Sequence, residues 1–206
     1  MVKTLDKRKL RQKNHAAQIL EEGEKLFAKR GFYPTTMEEV ARAAGLAKGT
    51  IYLHFDNKRD LFFSIIENKL DILLEKIEKE MRKDELPSQR IKLAIGIHLR
   101  FLEENRDFFK IMQALPESLK EEMEKKLKGR VIEKQSRYIE ILDQLIQKGI
   151  RDQEIKPLDS RKLAVILVGM MHSLTIYWIS RKEKGSLLQD DSLVWQVFWE
   201  GISKVA

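Results

Sequence analysis

The sequence predicts an all-α protein, and three observations support this fold class. Charged residues make up 34% of the 206 residues, whereas prolines number only four, a composition that favours long helices. No stretch shows the sustained apolar-polar alternation or the Asn-Gly turn that would predict β-hairpins. Apolar residues instead recur at helical spacing, as they do between Leu61 and Met81. With 43% hydrophobic residues, the chain can bury a sizeable core as one large or two small domains.

A short helix is predicted to start after Thr36. The Thr36 hydroxyl can accept backbone N–H groups as an N-cap, and Glu39, three residues later, completes a capping box. Val40, Ala41 and Ala44 then lie on one inner face. Gly45 suits a sharp turn into the next helix because glycine tolerates a positive φ.

A second short helix is predicted over residues 47–55. Leu46, Ile51 and Phe55 would be buried. The side chains that turn outward are basic, hydroxylated or very small, namely Lys48, Gly49, Thr50, Tyr52 and His54. A helix presented in this way fits the major groove of DNA, where lysine donates to guanine acceptors and glycine allows close approach. The same residues could also belong to an ordinary helical hairpin with a solvated polar face.

Six further helices are predicted from the apolar periodicity and from the prolines and glycines that interrupt it. Together with the first helix of the chain and the two short helices described above, they give a total of about nine. The predicted ranges are residues 57–83, 88–104, 106–114, 116–149, 159–181 and 190–205.

Residues 35–61 resemble the helix-turn-helix of the TetR (tetracycline-repressor) family of bacterial regulators. The matching residues, at the family's spacing, are Thr35, Thr36, Val40, Ala41, Ala44, Gly45, Leu46, Gly49, Thr50, Ile51, Tyr52, His54, Phe55, Lys58 and Leu61. The resemblance extends upstream to the family's first helix and its following turn through Ile19, Leu20, Gly23, Leu26, Phe27, Ala28, Gly31 and Phe32. Leu53 departs from the aromatic residue often found at its position.

The resemblance implies which residues touch DNA. Base-edge contacts are expected from Lys48, Gly49 and Thr50. Contacts to the phosphate backbone are expected from Thr36, Tyr52, His54 and Lys58. Phosphate contacts position a protein on the duplex, whereas base contacts give sequence preference.

The charge distribution agrees with a nucleic-acid partner. The first 60 residues hold 13 Lys and Arg against 8 Asp and Glu, a net charge of 13 − 8 = +5. This is most of the net charge of the whole chain, which is +7. Within them, Lys3, Lys7, Arg8, Lys9, Arg11 and Lys13 form a basic arm that could reach a groove or phosphates. A disordered, solubilising tail is the alternative interpretation of this arm.

The last two helices are rich in apolar residues. Residues 163–179 contain no charge, but a membrane span is disfavoured because the stretch is short and includes His172, Ser173 and Thr175. The resemblance implies that helices 159–181 and 190–205 form a homodimer face, a four-helix bundle with the partner; a purely internal core is the alternative. A two-fold dimer would read a palindrome whose half-sites lie about 34–36 Å apart.

The resemblance also implies an effector cavity among the fifth to eighth helices. The candidate lining residues are mostly aromatic or methionine, which would suit an apolar or amphiphilic compound. They are His98, Phe101, Phe108, Met112, Tyr138, Leu142, Met170 and Tyr177, with Leu102 and Met171 beside them. Plain core packing is the alternative for each of them.

Enzymatic chemistry is not indicated. The sequence lacks the HExxH, GxSxG and GxGxxG motifs, and its four histidines are scattered, so we expect no catalytic residues, no metal site and no cofactor. It has no cysteine, and its first ten residues lack the apolar run of a signal peptide, which fits a cytoplasmic protein.

The sequence therefore predicts a ligand-responsive, sequence-specific DNA-binding regulator. We expect a repressor that binds a palindromic operator as a homodimer and is released by a small apolar or amphiphilic effector. An effector that instead favours the DNA-binding state, as a co-repressor does, is the alternative. The predicted division places the helix-turn-helix and basic arm in residues 1–58 and the effector-binding and dimerisation helices in residues 59–206. The alternatives are a protein-interaction or membrane-surface module that uses the basic arm, and a helical enzyme with an unrecognised site.

Overall fold

The computed structural model describes residues 2–81, 85–115, 117–181 and 185–204, with side chains except at 2–11, 113–114 and parts of 120–132. Nine α-helices and one 3₁₀ turn occur in these ranges, and the all-α prediction is confirmed. The helices are α1 Val2–Arg30, α2 Met37–Ala43, α3 Lys48–Ile51, α4 Lys58–Met81, α5 Pro87–Glu104, α6 Arg106–Ala114, α7 Glu117–Arg151, α8 Ser160–Ser180 and α9 Asp191–Ile202, with the 3₁₀ turn at Leu187–Asp190.

The chain divides into two compact units. The first contains the residues up to Lys69 together with Asp107–Lys128, and the second contains Leu70–Arg106 and the residues from Gly129 onward. Helices α4 and α7 each contribute residues to both units.

Aromatic packing builds the core of the first unit. The ring of Phe62, from α4, lies with its centroid 5.3 Å from those of Phe27 and Phe32 and 5.8 Å from that of Phe108. Edge-on and tilted ring pairs at this spacing are favourable beyond the area that they bury. Phe27 and Phe62 are fully buried, so they fix α1 and α4 against each other.

The predicted turn between α2 and α3 is confirmed in its details. Glu39 N donates to Thr36 Oγ1 at 3.2 Å and Thr36 N donates to Glu39 Oε2 at 3.0 Å, which is the capping box expected from the sequence. Gly45 has φ +68°, and its amide donates to the Arg42 carbonyl at 3.1 Å. Glycine is needed there because other side chains rarely adopt a positive φ.

Helix α3 is shorter than the predicted range 47–55. Only Lys48–Ile51 is α-helical, and the Ile51 carbonyl then accepts from both His54 N and Phe55 N, at 3.1 and 3.0 Å. The chain tightens here because Phe55 must be buried while the next helix starts only three residues later. Asn57 Oδ1 caps that helix by accepting from the amides of Arg59 and Asp60, each at 3.0 Å.

Helix α5 lies at the centre of the second unit. It packs against α8, α9 and the 3₁₀ turn. The Glu103 carboxylate holds that turn, because it accepts from Ser186 Oγ at 2.9 Å and from Leu188 N at 3.1 Å. The fully buried aliphatic residues of this unit include Ile91, Ile95, Leu99, Leu142, Ile146 and Leu167.

The boundaries of the later helices differ slightly from the predictions. Helix α7 ends at Arg151 rather than at Gly149, and α9 ends at Ile202. Gly149 is not a helix stop, because α7 continues through it to Arg151. A Cβ added at Gly149 would lie 2.6 Å from Ile155 Cδ1 and 3.3 Å from Pro87 Cβ. The residue is glycine because two neighbours approach the helix closely. The predicted limits at residues 83, 116 and 205 fall outside the described residues.

Candidate nucleic-acid interface and effector core

The outward face of α3 carries the residues expected to read DNA. Lys48 and Gly49 are exposed, Thr50 is half-buried, and the Tyr52 side chain is 44% exposed. Ile51, on the opposite side, is fully buried and fixes the orientation of this single helical turn. The structure therefore places Lys48, Gly49, Thr50 and Tyr52 together at one surface of the first unit.

An acidic partner holds Lys48, and the sequence prediction missed it. Lys48 Nζ lies 2.7 Å from Glu38 Oε1, and both side chains are substantially exposed. Lys48, with a smaller effect from Tyr52, keeps the pKa of the Glu38 carboxyl below its ordinary value. Glu38 thus contacts two side chains of the candidate DNA face. Nothing in its spacing from Lys48 indicated this, because the pair depends on the angle between α2 and α3.

The side chain of Lys58, a candidate for a phosphate contact, is already held by contacts within the protein. Its Nζ donates to the Tyr33 carbonyl at 2.8 Å and lies 4.7 Å from the centre of the Phe32 ring. Burial lowers the pKa of Lys58. Because an ammonium has three donors, two stay available for a phosphate while one ties down the turn before α2. Thr36 is exposed, and its hydroxyl already accepts the capping hydrogen bond.

His54 is half-buried beside a second histidine. Its ring centroid lies 6.3 Å from that of His15, on α1. Burial, and then the neighbouring His15, lowers the pKa of His54. His54 is therefore neutral at pH 7 and would reach a phosphate as a neutral hydrogen-bond donor. Of the basic arm, the side chains of residues 2–11 lie outside the described set, and Lys13 is exposed.

A polar pair is buried in the second unit. His98 Nδ1 and Tyr138 Oη are 2.8 Å apart, and the two side chains are only 1% and 7% exposed. Burial, with a contribution from His172, lowers the pKa of His98 to about 3, and burial raises the pKa of Tyr138. Both groups are therefore neutral at pH 7. The second ring nitrogen, His98 Nε2, is buried and has no hydrogen-bond partner in the described part of the chain.

The other predicted cavity residues do not all meet at this pair. Phe101 and Leu142 are buried in the second unit, and Met170 is half-buried there. Phe108 and Met112 belong to the first unit, where the Phe108 ring packs on Phe62. Tyr177 is 53% exposed on the surface of α8, with Arg181 over its ring.

One stripe of α8 and one of α9 expose large apolar side chains. The exposed positions recur every three to four residues, so each stripe is a single helix face. The apolar members are Val165, Ile166, Ile176, Tyr177, Leu193 and Val197, each between 50% and 57% exposed. We call these six residues the α8–α9 face. Helix α8 is also long and apolar enough to cross a membrane, judged by length and composition alone. Of its most apolar 18-residue stretch, 28% is buried inside the protein.

Among the described residues, no three His, Asp or Glu side chains come together in a way that could hold a metal ion.

Comparison with known proteins identifies the family. Residues 19–65 match the model of bacterial regulatory proteins of the tetR family, and residues 84–187 match the model of the tetracyclin repressor-like C-terminal domain. The fatty acid metabolism regulator protein of Bacillus subtilis is 27% identical over 190 residues, which are 90% of this chain and 94% of that protein.

Solved structures show the same fold. The fatty acid degradation regulator FadR from Bacillus halodurans superposes with a TM-score of 0.72 at 25% identity, over 90% of this chain and 98% of that one. FadR from Bacillus subtilis in complex with stearoyl-CoA has a TM-score of 0.74 at 24% identity over the same shares. This chain belongs to the TetR family of bacterial regulatory proteins and is a dimeric, effector-responsive, DNA-binding transcriptional regulator.

Proposed function

We propose that this regulator represses transcription by binding a palindromic operator, with residues 1–58 as its DNA-reading part and residues 59–206 as its effector-binding and dimerising part. Lys48, Gly49 and Thr50 contact base edges. Thr36, Tyr52, His54 and Lys58 contact the phosphate backbone. The observation that carries this proposal is the exposed face of α3, which presents a lysine, a glycine and a hydroxyl group on one helical turn. The buried side chain of Ile51 fixes the orientation of that turn.

Selection of bound duplexes from a random pool tests the DNA-reading role. We expect a palindrome whose half-site centres are about one helical turn apart. Lys48→Ala should relax sequence preference at one position of each half-site. If the selected pool shows no palindrome, the protein is not an operator-binding dimer, and a basic surface module becomes the better interpretation.

Lys58 needs a different test because it also holds the Tyr33 carbonyl. Lys58→Ala should weaken all sequences alike and reduce the slope of log affinity against log salt by about one unit. Lys58→Arg keeps the charge, so it should retain most of the salt slope even where its geometry changes. A thermal melt of each variant separates loss of the phosphate contact from loss of the turn.

We further propose that the effector is a long-chain acyl-CoA that releases the operator. Two observations support this proposal. The relatives matched at 25–27% identity are named as regulators of fatty acid metabolism or degradation. The second unit buries a neutral His98–Tyr138 pair, with the His172 ring 5.5 Å from that of His98, in a core whose fully buried side chains are mostly aliphatic. This setting suits a long apolar chain bearing one polar link.

The free nitrogen of His98 is the candidate anchor for that polar link. If Tyr138 Oη donates to Nδ1, the neutral imidazole carries its proton on Nε2, which then needs an acceptor. A buried donor without a partner costs about 1–3 kcal/mol. The carbonyl oxygen of a thioester would supply the acceptor and remove that cost on binding.

A gel shift on the selected operator tests the effector. We expect stearoyl-CoA to release the DNA and free coenzyme A to have no effect. His98→Phe keeps an aromatic ring but removes the donor, so release should require about tenfold more stearoyl-CoA. If stearoyl-CoA leaves the wild-type complex intact, the effector class is wrong.

The α8–α9 face supports the homodimer. Six apolar side chains that are half-exposed in one chain are typical of a surface that a second copy covers. Covering by a partner also accounts for the membrane-like composition of α8 and agrees with a cytoplasmic protein.

A further inference from the structure

A cleft in the second unit is lined by cations that none of the roles above uses. It has a volume of about 360 Å³ and lies among the end of α4, the start of α5 and the C-terminal half of α7. Its cationic side chains are Arg90, Arg137, Lys148 and Arg151, against one lining carboxylate, Glu78. Its volume is at the lower end of the range for small-molecule sites.

Nearby acids neutralise only two of these four cations. Arg137 Nε lies 3.2 Å from Glu78 Oε1, and its Nη1 lies 3.2 Å from Glu140 Oε2. Lys148 Nζ lies 3.2 Å from Asp152 Oδ2. Arg90 and Arg151 have no ion pair with a described residue, so the cleft keeps an excess of positive charge.

An unpaired buried nitrogen of Arg90 is a second indication that this cleft binds a ligand. The Nε atom of Arg90 is buried, and no hydrogen-bond acceptor reaches it in the described ranges. A guanidinium N–H removed from water and left unpaired is costly, and this cost is larger for a charged donor than for a neutral one. Because the guanidinium is a planar fork, the ligand that fits it best offers two oxygens, as phosphates and carboxylates do.

The cleft also has apolar walls. Met81, Ile141 and Leu145 line it together with the cations. Ile141 lies three residues after Tyr138 on α7, so the two side chains are neighbours on one helix. The apolar side of the cleft therefore includes a helical neighbour of Tyr138, which is one member of the buried His98–Tyr138 pair.

We propose that this cleft binds the phosphate-bearing head of the effector through Arg90 and Arg151, a proposal that rests on the acyl-CoA function proposed above. Arg90 Nε and its fork donate to phosphate oxygens, and Arg151 adds a second positive charge at the end of α7. The apolar walls accept the part of the ligand that leads toward the core. A phosphorylated organic anion, rather than a free fatty acid, is then the species that the regulator detects.

Calorimetric titration of the full chain tests the assignment with three probes, namely stearoyl-CoA below its micellar concentration, adenosine 3′,5′-bisphosphate and sodium stearate. The variants are Arg90→Gln and Arg151→Gln. The matched control is Arg100→Gln, an exposed arginine that lines a separate groove beside Lys76 and Lys92. Operator binding without ligand confirms that each variant is folded.

We expect wild type to bind stearoyl-CoA more tightly than stearate. Each cleft variant should weaken stearoyl-CoA binding about tenfold and leave stearate binding unchanged, while Arg100→Gln stays within about twofold of wild type. Equal binding of stearoyl-CoA by wild type and both cleft variants would overturn the assignment while leaving the acyl-CoA function intact. Weakening by Arg100→Gln alone would also overturn it, in favour of the other groove.

The two proposals fail in different ways. If wild type ignores stearoyl-CoA but binds the bisphosphate, and the cleft variants lose that binding, the phosphate site stands and the acyl-CoA effector is wrong. If wild type binds none of the three probes, both proposals are overturned.

Discussion

Truncating one side chain of the α8–α9 face should loosen the dimer measurably. Ile176 is 57% exposed in the single chain, so that fraction of its surface is available for burial by a partner. Full burial of an isoleucine contributes about 1.5–3 kcal/mol, so the exposed part, less the methyl that alanine keeps, contributes about 1 kcal/mol. In a two-fold dimer the change occurs twice, which gives about 2 kcal/mol for Ile176→Ala.

That energy corresponds to a roughly thirtyfold increase in the dimer dissociation constant. Fluorescence-detected sedimentation over a dilution series measures it directly. Val197, equally exposed on α9, should behave in the same way. Leu86 is the matched control, because it is 56% exposed at the start of α5 and lies outside the α8–α9 face, so Leu86→Ala should leave dimerisation unchanged.

If Ile176→Ala and Val197→Ala both dissociate at the wild-type concentration, the α8–α9 face is not the dimer interface. A charge gives a stronger version of the test, because Ile176→Glu would bury one carboxylate from each protomer in the proposed interface and should produce monomers. Such monomers should also lose tight binding to the palindromic operator.

Three further predictions concern packing, pH and the DNA face. Gly149→Ala should lower the free energy of unfolding by about 1–2 kcal/mol in urea titrations, because a Cβ 2.6 Å from the buried Ile155 outweighs the gain in helix propensity. Gly96→Ala, with no atom within 4 Å, should instead raise it by up to about 1 kcal/mol, and equal effects of the two substitutions would contradict this reasoning. The folded-state pKa of His98, about 3, lies below the ordinary 6.5, so the unfolded chain takes up this proton first and stability falls as the pH drops below 6.5. Between pH 7 and 4.5 wild type should lose about 2.5 kcal/mol more than His98→Gln, and parallel pH profiles would show that His98 is not the group responsible. Glu38→Gln should raise affinity for all duplexes by up to about fivefold in gel shifts at low salt and relax the base preference proposed for Lys48, since it frees Lys48 and removes an anion from the candidate DNA face. Unchanged affinity and preference would mean that Glu38 does not control Lys48.

Local patterns in the sequence were sufficient for the helix-turn-helix. Thr36, Glu39 and Gly45 act through bonds to residues a few positions away, so their spacing alone predicted the capping box and the positive φ that the structure shows. The length of α3 was overestimated, because the tight turn after Ile51 depends on where α4 must begin. The family resemblance supplied the DNA-contact assignments, which stay predictions until binding is measured.

The effector region was less predictable, since it depends on contacts between distant parts of the chain. His98 and Tyr138 are 40 residues apart, and only the folded unit shows that they form a buried pair. Arg90 and Arg151 come together from two helices, and no short motif marks them. Tyr177 is an aromatic residue of the type expected to line an effector cavity, but its position on α8 places it on the exposed face of that helix.

The brevity of α3 has a genetic consequence. A single helical turn of four residues cannot hold its own shape in water, so its orientation depends on the packing of Ile51 and Phe55 and on the bend at Gly45. A screen for alleles that fail to silence a reporter should therefore recover changes at these three positions as readily as changes at Lys48. Many of those alleles should be temperature-sensitive, whereas alleles at Lys48 should fail at every temperature.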